Sequence, residues 1–112
     1  MTLREAAQKL GMKPVSGHSR LSREVTRGYV SDLLSDVMAN AGKGSVWITI
    51  QIHMNIIPVA VMKELAAIIL ANGKRPGPEV LAKAREERVP LLTSSLSSYE
   101  IACRLHEAGV PS

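Results

Sequence analysis

One stretch of the sequence, Ser45 to Asn55, constrains the fold more than any other. Its first half, Val46 to Ile52, is uncharged and β-branched or aromatic at almost every position, which is typical of a strand buried on both faces. The polar residues Gln51, His53 and Asn55 fall where this strand ends and a helix is about to begin. Because ligands of open α/β sheets bind in the crevice beyond the carboxyl ends of the strands, the same stretch supplies a candidate site.

The composition is that of one soluble globular domain. The chain has 112 residues, of which 46% are hydrophobic and 21% are charged, and its net charge is +4. Acidic and basic residues are interspersed, so the basic balance indicates general solubility and not a nucleic-acid surface. Pro14 and Gly17 break the chain where the recognition helix of a helix-turn-helix unit would begin, which weighs against DNA reading.

The single cysteine and the hydrophobic pattern restrict the cellular context. Cys103 has no partner for an internal disulfide or a four-thiolate metal site, and we interpret it as structural. This is compatible with a reducing cytoplasm, the location that we expect. The N-terminal residues lack the apolar segment of a signal peptide. The uncharged run from Gly44 to Met62 is interrupted by polar residues and Pro58, so we predict no membrane contact.

Periodicity and capping signals predict a helix followed by four strand–helix units. The first helix, residues 2–10, begins with a capping box of Thr2 and Glu5, and residues 12–24 form a polar loop with a short strand near Val15. The four strands are predicted at 24–30, 46–52, 66–70 and 90–93. The helix after the third strand is predicted over residues 79–88. The other three are predicted to be capped by Ser31 or Asp32, by Asn55, and by a Ser97/Glu100 capping box.

Short apolar strands that alternate with helices predict an α/β fold with three layers, α/β/α, around a mainly parallel sheet of four or five strands, preceded by a short N-terminal helix. We expect a single domain over residues 1–112, with the N-terminal helix and loop in 1–23 and the α/β core in 24–109. All parallel strands then end at one edge, where helix N-termini favour an anion. The polar residues expected there are Tyr29, Ser31, Asp32, Gln51, His53, Asn55, Asn72, Gly73, Lys74, Ser94, Ser95 and Ser97.

The loop after the second predicted core strand has two interpretations. Gln51, His53 and Asn55 alternate, so on a strand they would share a face and could hydrogen-bond a ligand or a partner. Alternatively, Gln51 and His53 are satisfied within a dimer seam and Asn55 only caps a helix. No carboxylate or cysteine lies at ligand spacing to His53, so no metal site is predicted.

Two further loops contain candidate ligand-binding residues. Asn72, Gly73 and Lys74, followed by Arg75, suit a phosphate bound by backbone N–H groups and two cations, although most loops of this composition merely turn. The loop after the last strand adds serine hydroxyls at Ser94 and Ser95. The predicted ligand-binding set is therefore Gln51, His53, Asn55, Asn72, Gly73, Lys74, Ser94 and Ser95.

Residues 40–45 have the glycines of a phosphate loop but not its context. Lys43 is followed by Gly44 instead of Ser or Thr, and the segment leads into a strand instead of out of one. We interpret it as a plain helix–strand turn. Without a P-loop, and without a nucleophile–base or metal constellation, the sequence predicts no enzyme activity and no cofactor.

Several runs, taken in order, carry a family resemblance. They are Asp32–Ala41, Val46–Ile56, Ile68–Gly73, Pro78–Ala84 and the segment from Val89 to Ala102. Together they resemble the small stand-alone DRTGG-domain proteins of bacteria and the related N-terminal domain of HPr kinase/phosphorylase. The resemblance implies a three-layer α/β/α domain that self-associates and serves as a regulatory or ligand-sensing module. The sequence departs from the family motif at 53–55, where many members have Asp-Arg, and at 71–73, where they have Thr-Gly-Gly.

These observations favour a non-catalytic regulatory module, a cytoplasmic homodimer that binds a phosphorylated or nucleotide-like small molecule at the carboxyl edge of its sheet. The alternative is a protein–protein adaptor in a redox or signalling system, with no small-molecule ligand.

Overall fold

The computed structural model describes residues 1–112 as five strands and five α-helices, with one turn of 3₁₀ helix at His18–Arg20. The strands are β1 (Lys13–Ser16), β2 (Arg27–Val30), β3 (Ser45–Thr49), β4 (Ala67–Leu70) and β5 (Leu91–Thr93). The helices are α1 (Leu3–Leu10), α2 (Leu34–Asn40), α3 (Ile56–Met62), α4 (Pro78–Glu86) and α5 (Ser98–Glu107). None of the helices combines the length and the apolar character needed to cross a bilayer.

The five strands form one sheet in the order β1-β5-β4-β3-β2, in which β2 to β5 are parallel and β1 runs antiparallel beside β5. The predicted α/β class with a mainly parallel sheet is confirmed. Each connection from β2 to β5 moves one strand along the sheet in the same direction. Right-handed crossovers therefore place α2, α3 and α4 together on one face.

The two hydrophobic clusters match this arrangement. On one face of the sheet, Trp47 and Ile68 pack with Val37, Ile56 and Ala84 from the three crossover helices. The other face is covered by the terminal helices α1 and α5, whose apolar residues pack on the strands. The N-terminal helix α1 is therefore part of the same hydrophobic core as the strands and helices that follow it.

The central strand β3 is buried along its whole length, as its composition predicts. Val46 and Ile48 belong to one cluster and Trp47 to the other, so successive side chains fill opposite layers. The indole N–H of Trp47 donates a hydrogen bond to the carbonyl oxygen of Ser31 at 2.7 Å. This bond ties β3 to the loop after β2.

Two predicted strand boundaries are wrong, because residues outside the strands form hydrogen bonds with the backbone at these positions. β3 ends at Thr49 and not at Ile52, because the carboxylate of Asp32 captures the Ile50 N–H at 2.9 Å. β2 begins at Arg27 and not at Glu24, because the preceding residues pair with the N-terminus, where the Val25 N–H donates to the Met1 carbonyl at 2.9 Å.

The helix caps are confirmed at both ends of the chain and wrong in the middle. The Thr2/Glu5 capping box is complete, and the Ser97 hydroxyl accepts from the Glu100 N–H, although without the reciprocal bond. α2 begins after Leu33 instead of at Ser31 or Asp32. The side chain of Asn55 precedes α3 but caps none of its N–H groups.

The strand expected near Val15 is β1, which adds an antiparallel edge to the sheet. Ser16 is buried, and its hydroxyl donates to the Val89 carbonyl at 2.7 Å. The next residue, Gly17, has φ 69°, and a Cβ placed there would lie 2.4 Å from the Cα of Pro90. Only glycine allows the chain to leave β1 so close to β5.

Candidate functional site

The four parallel strands end at one edge of the sheet, and the loops that follow them form a continuous surface, which we call the carboxyl rim. It consists of residues 31–33 after β2, 50–55 after β3, 71–77 after β4 and 94–97 after β5. Because the strands lie in the order β5-β4-β3-β2, each loop is next to the loop of the neighbouring strand. All eight predicted ligand-binding residues lie on this rim.

Asp32 joins the loops after β2 and β3. One of its carboxylate oxygens, Oδ1, accepts hydrogen bonds from the Thr49 hydroxyl at 2.8 Å and from the Ile50 N–H at 2.9 Å. Thr49 is fully buried, so its hydroxyl depends on this acceptor. Asp32 therefore organises the rim instead of capping α2.

A short ladder of side-chain to backbone bonds shapes the loop after β3. Thr49 Oγ1 accepts from the Gln51 N–H at 3.0 Å, Gln51 Oε1 from the His53 N–H at 3.0 Å, and His53 Nδ1 from the Asn55 N–H at 3.2 Å. Each side chain thus bonds to the N–H two residues further on, as in an Asx-type turn. The expectation that Gln51, His53 and Asn55 share the face of a strand is wrong.

The hydrogen bonds of this ladder use acceptor atoms of Gln51 and His53 and leave the donor groups of these two side chains unbonded. Gln51 Oε1 and His53 Nδ1 each accept a bond, so the Gln51 amide nitrogen and His53 Nε2 are left for a ligand, together with the unbonded side-chain amide of Asn55. With Nδ1 as the acceptor, the neutral ring of His53 carries its hydrogen on Nε2. The loop after β3 therefore presents N–H groups, which recognise oxygen-rich ligands.

The loops after β4 and β5 are bonded to each other. The N–H groups of Asn72 and Gly73 donate to the carbonyls of Leu96 and Ser94, each at 2.8 Å. Both residues have positive φ, 57° for Asn72 and 68° for Gly73, which turns the chain sharply at the rim. Because these two N–H groups are already bonded, the predicted phosphate cradle of backbone amides is not free in this loop.

The serine hydroxyls of the last loop are not equivalent. Ser94 is buried, and its hydroxyl accepts from the Leu96 N–H at 3.1 Å, so this residue supports the loop instead of facing a ligand. Ser95 is exposed and its hydroxyl has no bond within the chain. Of the two predicted serines, only Ser95 is exposed with a hydroxyl free of bonds within the chain.

The positive charge of the rim lies beside α4. Lys74 and Arg75 are exposed, and neither forms an ion pair. α4 follows them with Gly77 at its N-cap and Pro78 in its first turn, and no side chain caps its N–H groups. An anion at this end of the rim would meet two cations and the positive end of a helix dipole, which Glu79 in the first turn of α4 offsets in part, whereas Asp32 lies at the far end.

Five exposed apolar side chains lie beside the polar groups near β2, and the sequence did not predict them as part of a site. Their exposed fractions are 48% for Val30, 64% for Leu33, 37% for Ile50, 42% for Ile52 and 36% for Met54. We call these five residues the apolar patch. Its signal in the sequence is the alternation of apolar and polar residues from 49 to 54, which suits two-residue turns as well as a strand.

A second polar network lies behind the patch. The Tyr29 hydroxyl donates to Asp36 Oδ2 at 2.8 Å, and the Asn40 amide donates to Oδ1 at 2.9 Å. Hydrogen bonding from Ser31, Tyr29 and Asn40 lowers the pKa of Asp36, and the bond to Asp36 raises the pKa of Tyr29. These groups hold α2 against β2.

The rim holds no cluster of metal-binding side chains, and the two main clefts of the chain lie elsewhere. No three His, Cys, Asp or Glu side chains lie close enough to share an ion. The two main clefts, of about 690 and 400 Å³, are lined by other residues, one at the amino ends of the strands and one along β2.

Comparison with known proteins identifies the architecture. The DRTGG domain family model matches residues 5–108, almost the whole chain. A solved structure of the CBS and DRTGG domains of the regulatory region of Clostridium perfringens pyrophosphatase, in complex with its activator diadenosine tetraphosphate, has the same fold, with a TM-score of 0.77 and 13% identity. The match covers 98% of this chain and 47% of that one, so this chain corresponds to about half of its length. No curated protein matches the sequence.

Proposed function

The chain belongs to the DRTGG-domain family, and from this premise we propose that it is a non-catalytic regulatory module that binds a phosphorylated or nucleotide-like small molecule at the carboxyl rim. The observation that carries the proposal is the ladder from Thr49 to Asn55. It uses the acceptor atoms of Gln51 and His53 and leaves their side-chain N–H groups without a partner in the chain.

A phosphate group suits this surface because it has only acceptors. The amide nitrogen of Gln51 and Nε2 of His53 can donate from the β3 side, while Lys74, Arg75 and the uncapped N-terminus of α4 supply positive charge from the β4 side. The structural neighbour, a regulatory region, was solved with a nucleotide activator, which makes diadenosine tetraphosphate a reasonable probe.

The absence of catalysis is part of the proposal. The hydroxyls of Ser31, Ser94 and Ser97 each accept from a backbone N–H, of Leu33, Leu96 and Glu100, and none is bonded to a histidine. Cys103 is partly buried on α5 and has no histidine partner. The rim therefore lacks the nucleophile–base pair that acyl or phosphoryl transfer through a covalent intermediate would need.

Thermal unfolding with matched ligands tests the proposal. Diadenosine tetraphosphate, ADP and glucose 6-phosphate are compared with adenosine and glucose, which lack the phosphate. A ligand at 100 times its Kd adds about 2.7 kcal/mol, which we expect to raise the Tm by roughly 10 °C. His53→Ala/Lys74→Ala should abolish the shift, and His18→Ala/Lys9→Ala, which removes an exposed histidine and lysine elsewhere, should retain it. A Tm that no phosphorylated compound raises would refute ligand binding.

The apolar patch supports a second candidate function, that of a protein–protein adaptor in a redox or signalling system. β2 is an edge strand of the sheet, to which the C-terminal segment bonds at Gly28. The Gly28 N–H points away from β3 and donates to the Pro111 carbonyl at 2.9 Å, whereas the Ser31 N–H points towards β3 and donates to the Ile48 carbonyl at 3.3 Å. Because N–H groups alternate in direction along a parallel strand, the Val30 N–H also points away from β3. An apolar patch beside an edge strand suits a strand of a partner.

We propose that a second copy of the chain binds at this edge, so that the protein forms a homodimer in the cytoplasm. Sedimentation analysis of the wild type and of Leu33→Lys tests this. A dimer that dissociates in the variant supports self-association through the patch. A monomer in both cases would refute the homodimer, and co-purification of another protein without a small molecule would then favour the adaptor role.

A further inference from the structure

The larger cleft, of about 690 Å³, lies at the end of the sheet opposite the carboxyl rim. Residues that immediately precede the parallel strands line it, among them Thr26 before β2, Gly44 before β3 and Ala66 before β4. The volume is within the usual range of small-molecule sites, roughly 300 to 1,000 Å³. None of the residues of the rim contributes to this cleft, which we call the amino-edge cleft.

Three carboxylates line the amino-edge cleft, and each lies near a cation, although Glu87 shares Lys83 with Glu86. Glu24 lies 3.0 Å from the N-terminal amine, Glu64 lies 3.4 Å from Lys43, and Glu87 lies 3.5 Å from Lys83. Their charges are therefore largely offset by these neighbours.

Two arginines that line the same cleft, Arg20 and Arg23, form no ion pair. Both are partly buried. Nη1 of Arg23 donates to the Leu65 carbonyl at 2.9 Å, which holds the guanidinium against the loop between α3 and β4. Burial, and then the charge of Arg20, lower the pKa of Arg23, while the charge of Glu64 acts in the opposite direction.

The remaining walls of the cleft are apolar and closely packed. Ala60, Leu65 and Val89 are buried, while Val61 is 43% exposed and faces the opening. Gly44 has φ 80°, and a Cβ at this position would lie 2.7 Å from Thr26 Cγ2, so the chain passes too tightly for any other residue.

The chain also keeps a strained backbone at this edge. Glu64 has φ 52°, a conformation that favours glycine after a helix, and its carbonyl accepts from the Gly44 N–H at 2.9 Å. This bond fixes the loop before β3 against the loop before β4. The cleft is therefore shaped by the fold before any ligand arrives.

We propose that the amino-edge cleft is a second binding site, which takes a small amphipathic anion with its phosphate or carboxylate head between Arg20 and Arg23 and its apolar body against Val61, Leu65 and Val89. Planar guanidinium groups bind the paired oxygens of either head group, and the charge of the anion removes the repulsion between the arginines. The site is distinct from the carboxyl rim in both position and ligand chemistry.

Titration of the ¹⁵N-labelled full chain tests this proposal, with hexyl phosphate, hexanoate, hexan-1-ol and inorganic phosphate as probes. We expect amide shifts at residues 20–26, 44 and 60–66 with hexyl phosphate, hexanoate or both, and the two anions show which head group is preferred. Hexan-1-ol and inorganic phosphate should each bind at least about tenfold more weakly, because each lacks one half of the ligand.

Variants decide between a specific site and general attraction to a basic protein. Arg20→Gln should weaken binding of the preferred anion about tenfold, because the substitution removes one of the two guanidinium groups. The Arg20 side chain makes no hydrogen bond or ion pair within the chain, so its replacement should leave the fold intact. Arg4→Gln, which removes the same charge from the exposed face of α1, should leave the affinity unchanged. Arg23→Gln adds a second test if it folds, and Arg20→Gln suffices if it does not. Equal binding of hexan-1-ol, shifts confined to the carboxyl rim, or unchanged affinity in Arg20→Gln would overturn the proposal.

Discussion

Replacement of Asp32 by alanine tests how the carboxyl rim is held together. The change removes the acceptor for two groups, the Thr49 hydroxyl at 2.8 Å and the Ile50 N–H at 2.9 Å. Ile50 is 37% exposed, so water can satisfy its N–H, whereas Thr49 is fully buried. A buried polar group that loses its partner costs about 1–3 kcal/mol. Because Asp32 is itself exposed and water can enter in its place, we expect about 1–2 kcal/mol, or a fall in Tm of roughly 4–8 °C.

A double-mutant cycle with Thr49→Val isolates the bond between the two side chains. Once the hydroxyl is gone, Asp32→Ala should cost at least about 0.5–1 kcal/mol less than it does in the wild type. Asp32→Asn keeps an acceptor in the same place and should cost less than Asp32→Ala. The free energies of unfolding come from urea denaturation of all variants. Costs that add within about 0.3 kcal/mol would refute the claim that Asp32 stabilises the rim through Thr49.

Two further predictions concern the stability of the fold. Gly17→Ala should cost about 3 kcal/mol or more by urea denaturation, because the new Cβ would lie 2.4 Å from Pro90, whereas Gly11→Ala, with a similar φ and open space, should cost about 1 kcal/mol; equal costs would contradict this. The pKa of Asp36 is lower in the folded chain than its ordinary value of 3.8, so its contribution to stability is complete above that pH and is lost as the pH falls through the folded pKa. Asp36→Asn should therefore lose less stability than the wild type on acidification below about pH 4, and parallel curves would exclude a role for this carboxylate.

The sequence was sufficient for the layers of the fold because its strongest signals are local. The uniform apolarity of Val46–Ile48 predicts a strand covered on both faces, and the structure places Trp47 and Ile48 in opposite clusters. The parallel order follows from the alternation of strands and helices. The antiparallel pairing of β1 has no such signal, because it depends on β5 and on the bond from Ser16 to Val89, residues more than 70 positions away in sequence.

The candidate site was harder to predict because one pattern fits two structures. Polar residues at 49, 51 and 53 suit the face of a strand, and they also suit successive turns in which each side chain accepts from the N–H two residues later. Asp32 decides between them by ending β3 at Thr49. The place of the candidate site at the carboxyl edge followed from topology, whereas the conformation of the loop after β3 depended on a contact between two loops.

The measurement that tests the central claim most directly is an amide chemical-shift map of the ¹⁵N-labelled chain titrated with diadenosine tetraphosphate. The donor-rich rim predicts saturable shifts at residues 50–53 and 72–76, beside His53 and Lys74, and their loss in His53→Ala/Lys74→Ala. Shifts confined to the amino-edge cleft, or no shifts at millimolar concentrations of the nucleotide, would contradict the assignment of the carboxyl rim as the ligand site.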